Sequence, residues 1–320
     1  MCRTTSYRGA NRRPTRVLER YLNQTRLLLR VLSDIAGEEV FALKGGTAIN
    51  LFYRDMPRLS VDIDLVYLPV RERDASLRDI NEAFDRIKMA VTKRNPQIHA
   101  RRIAGGGSND TRIAISEGQA QIKVETSPVA RGVVHPPMRR VASDAVIEEF
   151  GFAEMNVVAF EDLYGGKLHA ALDRQHPRDL FDVKLLYENE GLSEDLFRTF
   201  MIYAASSGRP LHELLAPTAL LDDGLYTSEF VGMTRQPVQK DELIETGAKL
   251  YTDIRQRLTG DIATFLLSLH DASPEFGLVG LSEAVNLPAI RWKLKNLKRL
   301  KDENPAKHAA QREALGELLS

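Results

Sequence analysis

A glycine pair set between two strand-like runs does most to limit the folds open to this chain. Lys44-Gly45-Gly46-Thr47 closes the apolar run Val40-Phe41-Ala42-Leu43, and fourteen residues then separate Thr47 from Asp62-Ile63-Asp64. Residues 61–67 alternate as a strand does, so Val61, Ile63 and Leu65 face the core and both carboxylates leave the opposite side. Two carboxylates so placed repel each other unless a cation lies between them. Glycines let the backbone approach closely, and a helix start offers amides and partial positive charge to a phosphate. Thr47 has the hydroxyl to cap the helix that follows, with Ala48, Leu51 and Phe52 on its buried side. Magnesium takes hard oxygen ligands, commonly one or two carboxylates with phosphate oxygens and waters. The order strand, glycine turn, helix, acidic strand therefore suits Mg2+ and a nucleoside triphosphate (NTP).

A two-metal site, in which one ion activates the attacking hydroxyl and the other escorts the triphosphate, calls for a third acid. Glu125 is the candidate, on the alternating run Gln121-Ile122-Lys123-Val124-Glu125-Thr126. The competing reading is an exposed strand glutamate paired with Lys123, and both stand at this point. Further along, Leu163, Tyr164, Leu168, Ala171 and Leu172 form one apolar helical stripe with Lys167 at its border. Pro177 is placed to start the next helix, and Asp179 in its first turn suits the helix dipole. Asp182, one turn deeper among Phe181, Val183 and Leu186, needs a partner, because a bare buried carboxylate is costly. A Lys167–Asp182 pair across the two helices would place Lys167 toward a triphosphate with Asp182 orienting it; a purely structural ion pair is the alternative. The histidines show no metal-ligand spacing, and Gly105-Gly106-Gly107-Ser108 lacks the lysine and helix of a Walker loop.

The chain has 320 residues, enough for two domains, with 43% apolar and 28% charged residues. No stretch approaches the roughly 20 apolar residues of a membrane span. The single cysteine, Cys2, excludes an internal disulfide, and a cytoplasmic location is expected. Net charge is zero, but residues 1–30 hold eight arginines against one acid, Glu19, and a second basic run joins Arg291, Lys293, Lys295, Lys298, Arg299 and Lys301 around Trp292. Each reads either as a solvated helix face or as a phosphate-binding patch, with Trp292 able to stack on a base.

Periodicity predicts helices over 15–36 and 74–94, strands and turns over 97–134 with breaks at Gly105-Gly106-Gly107 and Asn109-Asp110, and helices from about Ser143 onward. The expected class is α/β (α+β): a first domain over residues 1–155, carrying a basic N-terminal arm and a mixed sheet flanked by helices, then a mostly helical domain over 156–320 that lends Lys167 and Asp182 to the site.

At these motifs the sequence resembles the AbiEii family of nucleotidyltransferase toxins, which includes the MenT-type toxins and has a polymerase-β-like fold. The resemblance spans roughly residues 35–190; beyond it the likeness is only in being helical. The Lys44–Thr47 turn with Arg58-Leu59-Ser60-Val61-Asp62-Ile63-Asp64-Leu65 is similar to the family's first motif, and Lys167 with Arg178-Asp179-Leu180-Phe181-Asp182 to its later ones. The resemblance implies Asp62 and Asp64 on the metal, Gly45, Gly46, Thr47, Arg58 and Ser60 around the nucleotide, Lys167 in contact with it and Asp182 as an essential late aspartate. It implies a toxin of a bacterial toxin–antitoxin and abortive-infection system, transferring NMP from an NTP to an acceptor such as the 3′ end of tRNA and so inhibiting translation, with a separately encoded winged-helix antitoxin. Transfer to a protein or a small molecule, or nucleotide binding without turnover, are the other readings of the same residues.

Overall fold

The computed structural model describes residues 16–103, 111–217 and 221–320. The basic arm before residue 16, and the turn signals at 105–107 and 109–110, lie outside the described residues. The chain opens with α1 (Arg16–Ile35), whose Leu27, Leu28, Val31, Leu32 and Ile35 are fully buried and pack toward the sheet. The turn-and-strand segment then gives β1 (Phe41–Lys44), α2 (Gly45–Ala48, widening into a π turn over Ile49–Tyr53), β2 (Asp62–Tyr67), α3 (Arg73–Arg94), β3 (His99–Arg102), β4 (Arg112–Glu117) and β5 (Ala120–Thr126). Next come β6 (Met138–Val141), α4 (Asp144–Phe150) and β7 (Glu154–Val157). All later elements are helical: α5 (Phe160–Arg174), α6 (Pro177–Asn189), α7 (Glu194–Ala205), α8 (Leu211–Leu214), α9 (Asp223–Glu229), α10 (Lys240–Arg257), α11 (Gly260–His270), α12 (Pro288–Glu303) and α13 (Pro305–Leu319), with short 3-10 turns between α11 and α12.

The seven strands form one mixed sheet in the order β3-β4-β5-β2-β1-β7-β6. β2 runs parallel to β5 and β1 parallel to β7, while the remaining neighbours are antiparallel. This is the expected mixed α/β sheet, with two strands more than the turn-rich region predicts. β6 and β7 have four residues each, and β6 exposes Met138 and Val141 at the sheet's edge, so neither gives a long alternating pattern. Phe41 stacks on Phe84 of α3 with centroids 5.4 Å apart, fixing α3 against β1. On the other side, α2 lies against β2 and α5, which carries the helical part of the chain to the strand ends where Asp62 emerges. Among the described residues no helix is long and apolar enough to cross a membrane.

Candidate active site

Register across the middle of the sheet draws four charged residues into one row. Asp64 faces Lys44 across the β1–β2 ladder and Glu125 across the β2–β5 ladder, and Glu125 faces Arg112 on β4. Partners in register share a face of the sheet, so the row reads cation, carboxylate, carboxylate, cation. Two residues back on the same face, Asp62 lies opposite Lys123. A cleft of about 240 Å³ opens over the row, lined by Lys44, Asp64, Thr111, Arg112, Glu125, Thr126 and Ser127 among others. Asp62 and Asp64 are half-buried while Ile63 and Leu65 are fully buried, which is the alternation the sequence dictates. Burial pushes the Asp62 carboxyl above the ordinary range; Lys123 pulls it back, and Asp64 and Glu125 push it further up. Glu125 leans on Arg112 at 3.0 Å and Lys123 at 3.2 Å.

The glycine turn is pressed between two charged groups. Gly45 has φ +73°, and a Cβ built there would lie 2.6 Å from Asp64 Oδ2. A Cβ on Gly46 would lie 2.5 Å from Arg58 Nη2 and 3.3 Å from Ser60 Oγ. Glycine is required at the first position by handedness and by space, and at the second by space alone. Thr47 does not cap the helix. The helix starts at Gly45 with Lys44 before it, and the Thr47 hydroxyl donates instead to the Asp62 carbonyl and lies 2.9 Å from Ser60 Oγ. Thr47 and Ser60 therefore brace the start of β2 against the turn.

Behind the turn lies a chain of buried charges. Arg58 is 3% exposed and grips Asp182 with two parallel bonds, Nε to Oδ1 at 2.8 Å and Nη2 to Oδ2 at 2.6 Å. Lys167 lies 3.0 Å from Asp182 Oδ2 and donates to Asp179 Oδ1 at 2.8 Å. Arg174 Nε donates to Asp179 Oδ2 at 2.6 Å. Three cations thus meet two carboxylates across α5, α6 and the segment that leads into β2. Burial alone would push Asp182 and Asp179 up; Arg58 and Lys167 on the first, and Lys167 and Arg174 on the second, hold both below the usual carboxylate range. The same attraction outweighs burial at Lys167 and raises its affinity for its proton.

The network ends at the surface. Arg174 is more than half exposed, and Asp64 acts on it as a nearby opposite charge. Arg178, 3.2 Å from Glu229, acts likewise on Asp62. Sequence reading assigns no role to Arg174, Arg178, Lys44, Arg112 or Asp179 at the site. A strand pairing map would have found Lys44 and Arg112, since each stands in register with a named acid. The second basic run lies on α12, where Arg291, Lys295, Lys298 and Arg299 are exposed but Lys293 is buried, donating to the Ser207 and Arg209 carbonyls at 2.8 Å each.

Among the described residues no three His, Cys, Asp or Glu side chains gather tightly enough to enclose an ion. The pair Asp62 and Asp64 remains, with no hydrogen-bonded cation among the described residues, and a hard divalent cation suits that donor set when phosphate and water complete it. Asp62, which burial and its acidic neighbours leave reluctant to ionise, would gain most from such an ion.

Comparison with known proteins adds three findings. A family model described as nucleotidyl transferase AbiEii toxin, type IV TA system, matches residues 26–296, so the likeness reaches well past residue 190 into the helical part. The fold is similar to MenT4, a nucleotidyltransferase toxin from Mycobacterium tuberculosis H37Rv, with a TM-score of 0.54 and 17% identity over 95% of this chain and 93% of that one. No curated protein matches the sequence.

Proposed function

Because the chain belongs to the AbiEii family of nucleotidyltransferase toxins of type IV toxin–antitoxin systems, we propose that it carries an NMP from a magnesium-bound NTP to the 3′-hydroxyl of tRNA and so stops translation. The observation that carries this reading is the placement of Asp62 and Asp64 on one side of β2 with the Gly45 backbone packed onto the second carboxylate. In the reaction the acceptor oxygen attacks the α-phosphorus in line. The bond to the β-phosphate bridge breaks, pyrophosphate leaves, and the hydroxyl proton passes to solvent. Magnesium, when bound, supplies neutralisation of the triphosphate and eases loss of that proton.

Asp62 and Asp64 are the residues proposed to hold the metal; Glu125, expected from the sequence as a third ligand, is paired with Arg112 and Lys123 and would have to leave them to join. Gly45 and Gly46 offer bare backbone to the phosphates, and Thr47 and Ser60 fix the distance from that turn to β2. Arg58 acts from beneath the turn, since its guanidinium is already committed to Asp182. Lys167 has two acids within bonding distance and is 7% exposed, so it sets the acids that aim Arg174, the exposed cation in the field of Asp64. An antitoxin partner belongs to the type IV system; that it is a winged-helix protein, that the pair acts in the cytoplasm and that it serves abortive infection are parts of the proposal.

Incubation with each α-labelled NTP, offering total tRNA in one arm and total protein in the other, tests the reading. Label on tRNA, absent with Asp64→Ala and abolished by chelation of divalent cations, is the expected result. Label on protein alone, or transfer that survives chelation, overturns it.

A further inference from the structure

One loop contributes to the walls of both the catalytic cleft and a second cavity. Ser127 and Pro128 line the cleft, and Val129, the next residue, lines the other space. That cavity measures about 500 Å³ and lies between the turn at Ser206–Gly208, the start of α8, and the facing sides of α12 and α13. Among the described residues no acidic side chain lines it.

Its chemistry is uneven in an instructive way. Trp292 presents an indole that is 51% exposed, although the bulk of such rings is apolar and normally covered. Lys293 is 8% exposed, and among the described residues its bonds go to the carbonyls of Ser207 and Arg209. An ammonium has three N–H groups, so one remains for an anion, and no carboxylate competes for it. Burial alone holds this amine down to about 8. Lys307 adds a second cation at the rim, and Asn296 and Gln311 add amides that both donate and accept. An aromatic face, buried and rim cations, amides and no acid together suit a base with its phosphate better than a purely apolar ligand or a peptide.

Resting on the transferase reading above, we propose that this cavity seats a nucleotide of a single-stranded polynucleotide whose 3′ end lies in the catalytic cleft, its base against Trp292 and its phosphate beside Lys293 and Lys307. The cavity then acts as the acceptor's anchor, with the Ser127–Val129 loop between it and the cleft.

Trp292 is the chain's single tryptophan, so its fluorescence reports this cavity alone. The full-length protein is titrated with a seven-nucleotide RNA, with a blunt RNA duplex and with ATP. In parallel, KM for total tRNA and for NTP is measured in the wild type, Trp292→Ala, Trp292→Phe and Lys307→Glu. The expected result is saturable quenching by the heptamer, weakened by salt, with little from the duplex or ATP. Trp292→Ala raises KM for tRNA about tenfold, which is about 1.4 kcal/mol of stacking, and leaves KM for NTP unchanged. Trp292→Phe recovers most of the loss, which a merely structural role for the indole would not predict. Equal quenching by ATP makes the cavity a free-nucleotide site and overturns the inference, as does an unchanged KM for tRNA in Trp292→Ala. Normal labelling of tRNA without any quenching sinks the cavity inference alone. Quenching by the heptamer without labelling of any RNA sinks the transfer reading instead.

Discussion

The two charged regions that meet at the glycine turn are built on opposite principles. Behind the turn, Arg58, Lys167 and Arg174 share Asp179 and Asp182, and every carboxylate oxygen there has a cation at bonding distance. In front of it, Asp62 and Asp64 stand half-exposed beside Glu125, and burial with like charges makes Asp62 reluctant to ionise. The first region is complete by itself and stores stability. The second is left incomplete, and a ligand of positive charge would finish it. Mutation should therefore act mainly on folding in the first region and on turnover in the second, and acid should shift stability through the two with opposite sign.

Asp182→Ala should give the largest loss of stability. It leaves Arg58 and part of the Lys167 charge buried without a partner, at a cost of about 3–5 kcal/mol, to be read from the denaturation midpoint at constant m-value. A midpoint unchanged by this substitution would erase the contrast. Asp64→Ala should instead leave the midpoint within about 0.5 kcal/mol and lower nucleotide transfer at least about a hundredfold. Gly45→Ala should affect both, because the left-handed backbone costs roughly 1–2 kcal/mol and the new methyl drives into Asp64 Oδ2; denaturation and transfer measured together would show it. Arg174→Gln should have the smallest effect on folding, below about 1 kcal/mol given its exposure, while raising KM for NTP if its place in the field of Asp64 is functional.

pH separates the regions by sign. Asp179 and Asp182 titrate below their unfolded values, so their contribution is full at neutral pH and is lost as pH falls below about 4 toward those lowered values. Asp62 titrates above its unfolded value, so its charged form costs stability at neutral pH and the cost disappears on acidification. Asp62→Asn should raise the melting temperature at pH 7 in metal-free buffer, with the advantage gone near pH 4. A melting temperature that falls at pH 7 would show that Asp62 is already neutralised by its neighbours.

How much of this could be read from the chain alone differs between the same two regions. The front was legible because its signal is local: alternation over residues 61–67 and a glycine pair fifteen positions earlier suffice to place two acids on one face, and the strands β1 and β2 form where that pattern falls. The back was legible only in outline. The need of Asp182 for a partner follows from its apolar neighbours, and Lys167 does supply one contact, but the bidentate partner is Arg58, 124 positions away, which no periodicity can indicate. Asp179 looks from sequence like a helix-dipole residue and is in fact the link from Lys167 to Arg174. Thr47 carries a good capping side chain, yet tertiary contact with β2 claims its hydroxyl first. β6 and β7 escaped because four-residue strands, one of them at the exposed edge of the sheet, owe their pairing to neighbours rather than to pattern.

The separation of Arg58 from Asp182 along the chain also sets an order in time. A ribosome delivers the glycine turn, the acidic strand and Arg58 long before it delivers α6, so a half-made chain holds a guanidinium that has nothing to lock against. Pairing of that group must wait for Asp182, and with it the final seating of the turn. However early the acidic strand is made, the turn above it gains its full support only after α6 has emerged.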